Sequence, residues 1–301
     1  MRPIHRRNFL ITSAAAAAAT IAGAQSQTAE PVIDIHQHTD YSGRTDEQMI
    51  AHQRTMGVTH TVLLPAGRFY QLEAGASGND RVQEVARQHP GEYFFFANEV
   101  PYLSDAREVI TAGLKAGARG IGEQKFMVDA DSRAVGIVAE IAAEFHVPVL
   151  LHFQFGKYNT SFERFHLIVE KYPTVNFIGH AQTWWANIDA KADQAVLYPK
   201  GPVTPGGITD RLLTDYPNVF GDMSAGSGLN AMLRDEEHAR GFFTRHQDKL
   251  LYGSDCNDSV GTGEKCSGSQ MLATIRRLAP DKAAERKILF GNAKRVLKLP
   301  V

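Results

Sequence analysis

Short apolar runs alternate with amphipathic stretches along most of the chain. The apolar runs occupy residues 32–38, 60–66, 93–100, 120–126, 147–153, 175–181, 218–225 and 250–256. Each carries β-branched or aromatic residues and ends in a polar or glycine-containing turn. Between them, apolar residues recur at helical spacing over 45–56, 80–89, 105–116, 132–145, 162–172 and 231–246. Near-continuous apolar strands suit a parallel sheet with both faces buried. Their alternation with helices implies βαβ units. Eight such units predict a closed (β/α)₈ TIM barrel, of the α/β class, rather than an open doubly wound sheet. No Gly-x-Gly-x-x-Gly follows the first run and no Walker motif occurs, so neither nucleotide-binding fold is supported. Residues 281–299 read as one or two closing helices.

Two stretches break the rhythm. Residues 182–207 are too many for a plain βα turn and predict a long loop after strand six that distorts the barrel. That loop holds Trp184 and Trp185, the only tryptophans of the chain. The second is the glycine-containing loop between Cys256 and Cys266. The N-terminus follows another logic. Arg6 and Arg7 precede Asn8-Phe9-Leu10, an alanine-heavy apolar run over 11–21, and Ala22-Gly23-Ala24. Positive, apolar and small residues in that order predict a cleaved secretory signal. The run is too short for a stable membrane span. The paired arginines resemble a twin-arginine signal, which implies the twin-arginine export machinery as a transient partner. The expected domains are a signal over 1–24 and a barrel over 25–301, located in a bacterial periplasm.

Composition excludes more than it identifies. With 43% apolar and 22% charged residues the chain is globular rather than disordered or fibrous. Lys plus Arg number 32 and Asp plus Glu 33, a formal charge of -1, so there is no basic excess for nucleic-acid binding. Loss of Arg2, Arg6 and Arg7 with the signal leaves the mature chain more acidic still. Two cysteines cannot make a Cys₄ metal site. Twelve histidines are the count that asks for an explanation.

Several of those histidines fall where the predicted strands end. The first strand ends Asp34-Ile35-His36-Gln37-His38. Alternate strand residues share a face, so Asp34, His36 and His38 are expected to point one way, into the barrel mouth. Two imidazoles so spaced can grip one metal ion. Strand five ends at His152, strand six at His180 and strand eight at Asp255. Burying a lone histidine or aspartate at such a position is costly unless it is paired or bound to metal. His52, His89, His166, His238 and His246 fall on predicted helices or their ends and read as surface or packing residues. His60 and His146 precede strands, at the wrong end of a barrel for chemistry.

Taken together, Asp34-x-His36-x-His38, His152, His180, Gly253-Ser254-Asp255 and Gly291-Asn292-Ala293 resemble the amidohydrolase superfamily. More narrowly, they resemble its amidohydrolase-related (amidohydrolase-2) branch. The resemblance runs from Ile33 to about Leu297 and is not specific for a substrate. It implies that His36 and His38 bind a first metal and that His152 and His180 complete a site on one metal or two. It also implies that Asp255 binds metal and shuttles the proton, as the catalytic residue. Histidine and carboxylate ligands with an open position suit Zn²⁺, with Mn²⁺ or Fe²⁺ as alternatives. In binuclear members a strand-four carboxylate bridges the metals, and Glu123 in Gly120-Ile121-Gly122-Glu123 resembles that segment. Lys125 would then orient an anionic substrate group. The other reading pairs Glu123 with Lys125 as a structural ion pair.

Candidate substrate contacts follow the strand ends. Arg68 and Tyr70 follow strand two, Gln154 and Lys157 strand five, and Gln182, Trp184 and Trp185 strand six. Aromatic walls with a few cations suit a small ring-containing acid. Alternatively, Trp184 and Trp185 only anchor the long loop. Asp222 and Ser224 at the end of strand seven can support the metal ligands. Cys256 and Cys266, in an exported protein, are expected to form a disulfide, the alternative being two free thiols.

The leading expectation is a metal-dependent hydrolase of an amide, ester or lactone of a small molecule. The second is a non-oxidative decarboxylase of an aromatic or unsaturated acid. The branch's decarboxylases commonly carry Gly or Glu just after the strand-six histidine, and here Ala181-Gln182-Thr183 follows His180. A non-catalytic ligand-binding barrel is the third, and a DNase the least favoured. Oligomeric state is open, with a homo-oligomer allowed.

Overall fold

The computed structural model describes residues 30–68 and 75–301. The export signal expected over 1–24 and Tyr70 lie outside those described residues. Eight parallel strands follow in order: β1 Ile33–Gln37, β2 His60–Leu63, β3 Tyr93–Phe95, β4 Ile121–Gln124, β5 Val149–His152, β6 Phe177–His180, β7 Val219–Asp222 and β8 Leu250–Leu251. β1 to β3 pair in sequence, and so do β4 to β8. Two junctions join these sheets. Ala97 bridges in parallel to Ile121, joining the β3 end to β4. Ile35 N–H donates to Tyr252 O at 3.1 Å, and Asp255 N–H to His36 O at 2.8 Å, joining β8 to β1. Every strand therefore has two neighbours, and the fold is a closed (β/α)₈ barrel.

Helices separate the strands: α1 Asp46–Met56, α2 Asn79–Gln88, α3 Ala106–Lys115, α4 Arg133–Phe145, α5 Phe165–Lys171, α6 Ala181–Ala186, α7 Ile208–Asp215, α8 Ala225–Leu233, α9 Glu236–His246, α10 Ser267–Leu278, α11 Lys282–Arg286 and α12 Asn292–Val296. Their starts are chemically marked. Thr45 and Gln48 form a reciprocal capping box at α1, Ser132 caps α4, and Asp235 caps α9. Inside the barrel, Ile35, Leu64, Phe96, Leu150, Ile178 and Phe220 form one apolar cluster with Ala293 and Val296 of α12. The alternation of a strand then sets the next layer up. His152 follows Leu150 by two residues, His180 follows Ile178, and Asp222 follows Phe220, so apolar filling gives way to polar groups at the strands' C-terminal ends.

Three expectations need correction. The segment 182–207 does not begin as loop, because α6 continues directly from β6 and only 187–207 is irregular. The helix expected over 231–246 is two helices, with Asp235 starting the second. Asp34 does not share the face of His36 and His38. The β1–β2 register shifts between Asp34 and Gln37. Asp34 instead accepts from Gln53 Nε2 of α1 at 2.8 Å and from Ser254 N–H at 2.9 Å. A bulge of this kind inverts side-chain direction within two residues, which simple alternation cannot anticipate.

Trp184 and Trp185 are likewise corrected. They are 0% and 1% exposed and belong to the core, so they offer no wall to a substrate. Trp184 stacks on Phe153 at 5.9 Å and meets Phe162 edge-on at 5.8 Å. Trp185 Nε1 donates to Asp222 O at 2.8 Å. The close approach depends on Gly179, where an added Cβ would lie 2.2 Å from the Trp184 ring. Their position is that of an anchor for α6. Trp184→Ala is expected to cost about 3–5 kcal/mol of stability while leaving the KM of any substrate unchanged. Denaturant unfolding and steady-state kinetics check this; a raised KM with unaltered stability would return Trp184 to the pocket.

Candidate metal centre

Three strand ends, those of β1, β4 and β6, and the turn after β8 converge on one buried cluster. His36 Nε2 lies 3.1 Å from His38 Nε2. Asp255 Oδ1 stands 3.9 Å from the first and 3.6 Å from the second. Glu123 Oε2 stands 3.8 and 3.6 Å from the same two nitrogens. His180 Nε2 is 3.6 Å from Glu123 Oε1 and 3.5 Å from Asp255 Oδ2. Tetrahedral ligands on bonds of about 2.1 Å sit roughly 3.4 Å apart. The observed separations are near that size, and they fall into two overlapping groups that can hold an ion: His36, His38 and Asp255, and His36, Glu123 and His180.

The supporting bonds aim the Nε2 atoms inward. Asp222 Oδ2 takes the Nδ1 side of both His36, at 2.6 Å, and His180, at 3.2 Å. Ser224 Oγ donates to the same oxygen at 2.8 Å. His38 Nδ1 is tied to Leu64 O at 2.7 Å. Carboxylate and carbonyl partners of this kind fix the tautomer that leaves Nε2 as the ligand atom. Asp255 Oδ1 supplies the test of fit: it is buried and, among the described residues, has no hydrogen-bond partner. An ionised oxygen so placed is costly unless a cation meets it. The donor set of imidazole nitrogen and carboxylate oxygen fits a divalent ion.

Backbone geometry at these strand ends is also unusual. Ala181, Ala225 and Asp255 follow β6, β7 and β8 with φ of 80°, 62° and 39°. Non-glycine residues seldom adopt this left-handed region, and such conformations concentrate at functional sites. At the β8 turn the space is tight as well. A Cβ on Gly253 would meet Asp222 Oδ1 at 2.4 Å, so only glycine lets that carboxylate sit beneath His36.

The charges are strongly coupled. Burial pushes His38 down to about 4, aided by the neighbouring His36 charge, and burial also lowers His152 to about 4. Burial opposes charge on His180 too, but Asp222, Asp255 and Glu123 outweigh it and raise His180 to about 10. Glu123 would be raised by burial, yet His152 and His36 hold it well below the carboxylate range. Asp255 falls to about 2 on the same balance, with His36 the main opposing influence. Without metal, His180 therefore keeps its proton at neutral pH. Its Nε2 cannot ligate until that proton leaves. Metal affinity is expected to rise with pH by about tenfold per unit, levelling above about pH 10. Calorimetry of Zn²⁺ binding in buffers of different ionisation heat checks this; binding at pH 7 without proton release would contradict it.

No protein-family model matches this chain, and no curated protein matches it. Solved structures do. An uncharacterized TIM-barrel protein from Bordetella bronchiseptica is 14% identical with a TM-score of 0.64, over 89% of this chain and 99% of that one. A 2,6-dihydroxybenzoate decarboxylase complexed with 2,6-dihydroxybenzoate is 15% identical with a TM-score of 0.60, over 90% and 100%. A Pseudomonas putida protein assigned as a 2-pyrone-4,6-dicarboxylic acid hydrolase is 17% identical with a TM-score of 0.62, over 90% and 98%. At these identities the likeness shows the fold.

The other candidates from the sequence separate around this centre. His152 joins through Glu123, with Nδ1 2.5 Å from Glu123 Oε1, while its Nε2 faces Gln154 Oε1 at 3.4 Å. Lys125 is half-buried, 5.4 Å from the Tyr158 ring, and its charge helps hold Glu123 ionised. It is thus near the cluster without pairing to Glu123. Gln182 Oε1 is buried with no partner among the described residues, and its Nε2 is 3.5 Å from Tyr198 Oη. Arg68 is committed elsewhere, to Glu99 Oε2 at 2.5 Å and Asp105 Oδ1 at 2.6 Å. Lys157 lies over Tyr158 at 5.2 Å. The expected disulfide is not formed. Cys256 and Cys266 are free, with Sγ atoms 3.7 Å apart, far beyond a bond of about 2.05 Å. Tyr41 was not singled out by the sequence. It packs edge-on to His38 at 5.1 Å, and the neighbouring Asp255 charge pushes its phenol pKa up. Its signal is only its place three residues after His38.

Glu123→Gln is expected to lower bound metal and activity together, because the amide removes a charge facing His36, His38 and His152. Elemental analysis beside turnover checks this, and unchanged metal content would count against it.

Proposed function

We propose that the chain is a metal-dependent hydrolase that cleaves an amide, ester or lactone bond of a small molecule. Zn²⁺ is the favoured ion. The observation that carries this reading is the unpartnered Asp255 Oδ1 facing His36 Nε2 and His38 Nε2. A divalent ion held by this cluster would lower the pKa of water toward neutrality and polarise a carbonyl. Asp255, ionised far below neutral pH, accepts the proton of the attacking water and delivers it to the leaving group. Asp222 holds His36 and His180 in register throughout. Lys125 faces an anionic group of the substrate and orients it. Gln154 and Gln182 supply neutral hydrogen bonds at the rim.

A second reading, decarboxylation of an aromatic acid, is favoured by the similar fold of a 2,6-dihydroxybenzoate decarboxylase. The Ala181 that follows His180 supports hydrolysis instead. A panel of lactones, esters, amides and aromatic acids separates them, run with measured metal content. Carbon dioxide release from the acids alone would replace the hydrolase reading. Retained metal with no turnover on any substrate would favour a binding protein. Export to a periplasm is part of the proposal. Among the described residues no helix is long and apolar enough to cross a membrane. N-terminal sequencing of the protein from a periplasmic extract tests the cut after Ala24, and a start at Met1 would oppose it.

A further inference from the structure

A second cluster of metal-binding side chains lies behind the first. His52 comes from α1, Cys256 follows β8, and Cys266 caps the start of α10. Cys266 Sγ is 3.7 Å from Cys256 Sγ and 3.3 Å from His52 Nε2. The three ligand atoms all lie within 4.8 Å of one another, and all three residues are buried. Asp258 Oδ2 stands 3.9 Å from His52 Nε2 and accepts from the Val260 and Gly261 N–H groups. From bonds of about 2.3 Å to sulfur and about 2.0 Å to nitrogen, a tetrahedral ion separates two sulfurs by roughly 3.7 Å and sulfur from nitrogen by roughly 3.5 Å. The cluster has those spacings.

The geometry points to a Zn²⁺ site formed by His52, Cys256 and Cys266. Its surroundings suit the charge. Two thiolates balance the charge of a divalent ion, which suits a buried site. The buried Arg44 lies alongside, its Nη1 donating to Cys256 O at 2.9 Å and to Asp258 O at 2.7 Å. Thiolate and imidazole ligand sets of this kind hold Zn²⁺. This one would tie α1 and α10 to the turn after β8. Cys256 is the residue next to Asp255, so the ion would hold the catalytic turn from behind. It is independent of the hydrolase reading, because none of its ligands faces the barrel mouth cluster.

Co²⁺ is the probe, because thiolate ligands give it a near-ultraviolet charge-transfer band that imidazole and carboxylate ligands do not. The metal-stripped, reduced full-length protein is titrated with Co²⁺. The expected result is a thiolate band in the wild type that persists in His36→Asn/His38→Asn, saturates there at a single equivalent, and is lost in Cys266→Ser. Added Zn²⁺ should abolish it by displacement. Absence of the band in the wild-type protein would overturn the site whatever the variants do. So would a denatured, as-isolated protein with no titratable thiols, which would mean a disulfide.

Discussion

Asp255→Asn is expected to lower turnover by about a thousandfold or more, equivalent to at least about 4 kcal/mol of transition-state stabilisation. Asparagine preserves the shape of the side chain and can still offer an oxygen toward His36 and His38. What it cannot do is accept a proton. Asp255 holds its charge down to about pH 2 because His36, His38 and His180 surround it, so at neutral pH it is in the ionised form that can take a proton. The loss should therefore fall on kcat, with KM little changed, and with more metal retained than when a histidine is lost. Steady-state kinetics on the substrate found by the panel, with metal content measured on the same samples, checks it. Activity within tenfold of wild type would remove Asp255 from the proton-transfer role.

Replacing His36 and His38 together by asparagine should weaken metal binding at the barrel mouth by more than about a hundredfold. Loss of one supporting hydrogen bond behind a ligand typically costs ten- to a hundredfold, and here two ligands go. The remaining groups make the outcome sharper. Without those imidazoles, Glu123, Asp222 and Asp255 become a buried cluster of carboxylates with fewer balancing cations. Their ionised forms then cost more, and the variant should also lose stability that metal lends to wild type. Thermal unfolding with and without added Zn²⁺ shows this. A metal-dependent rise in Tm equal to that of wild type would place the dominant ion elsewhere.

These outcomes rest on residues of differing legibility. His36, His38, His152, His180 and Asp255 could be picked out because each stands at the end of an apolar run, and a barrel gathers those ends at one mouth. Asp222 was visible for the same reason, as an acid two residues beyond Phe220. Glu123 was visible as a carboxylate on strand four, but its bonding was not. It could equally have paired with Lys125, and only proximity shows His152 taking that place. Tyr41, after β1, lies beside Asp255, after the neighbouring β8, an approach between residues over two hundred positions apart that no local pattern encodes. Trp184 and Trp185 look like pocket walls in a loop; packing against Phe153 and Phe162 puts them in the core instead.

Hydrophobic periodicity alone determined the (β/α)₈ architecture, since side-chain alternation and helical spacing are local properties of the chain. It also determined which chemical groups stand at the strand ends. Tertiary structure decided the rest: the bulge that turns Asp34 toward α1, the aim of each imidazole by Asp222 and Leu64, and the approach of His52 to two free thiols. Those features depend on distances between residues far apart in the chain. Directed hydrogen bonds and ligand geometry are sensitive to a few tenths of an ångström, and sequence spacing carries no such information.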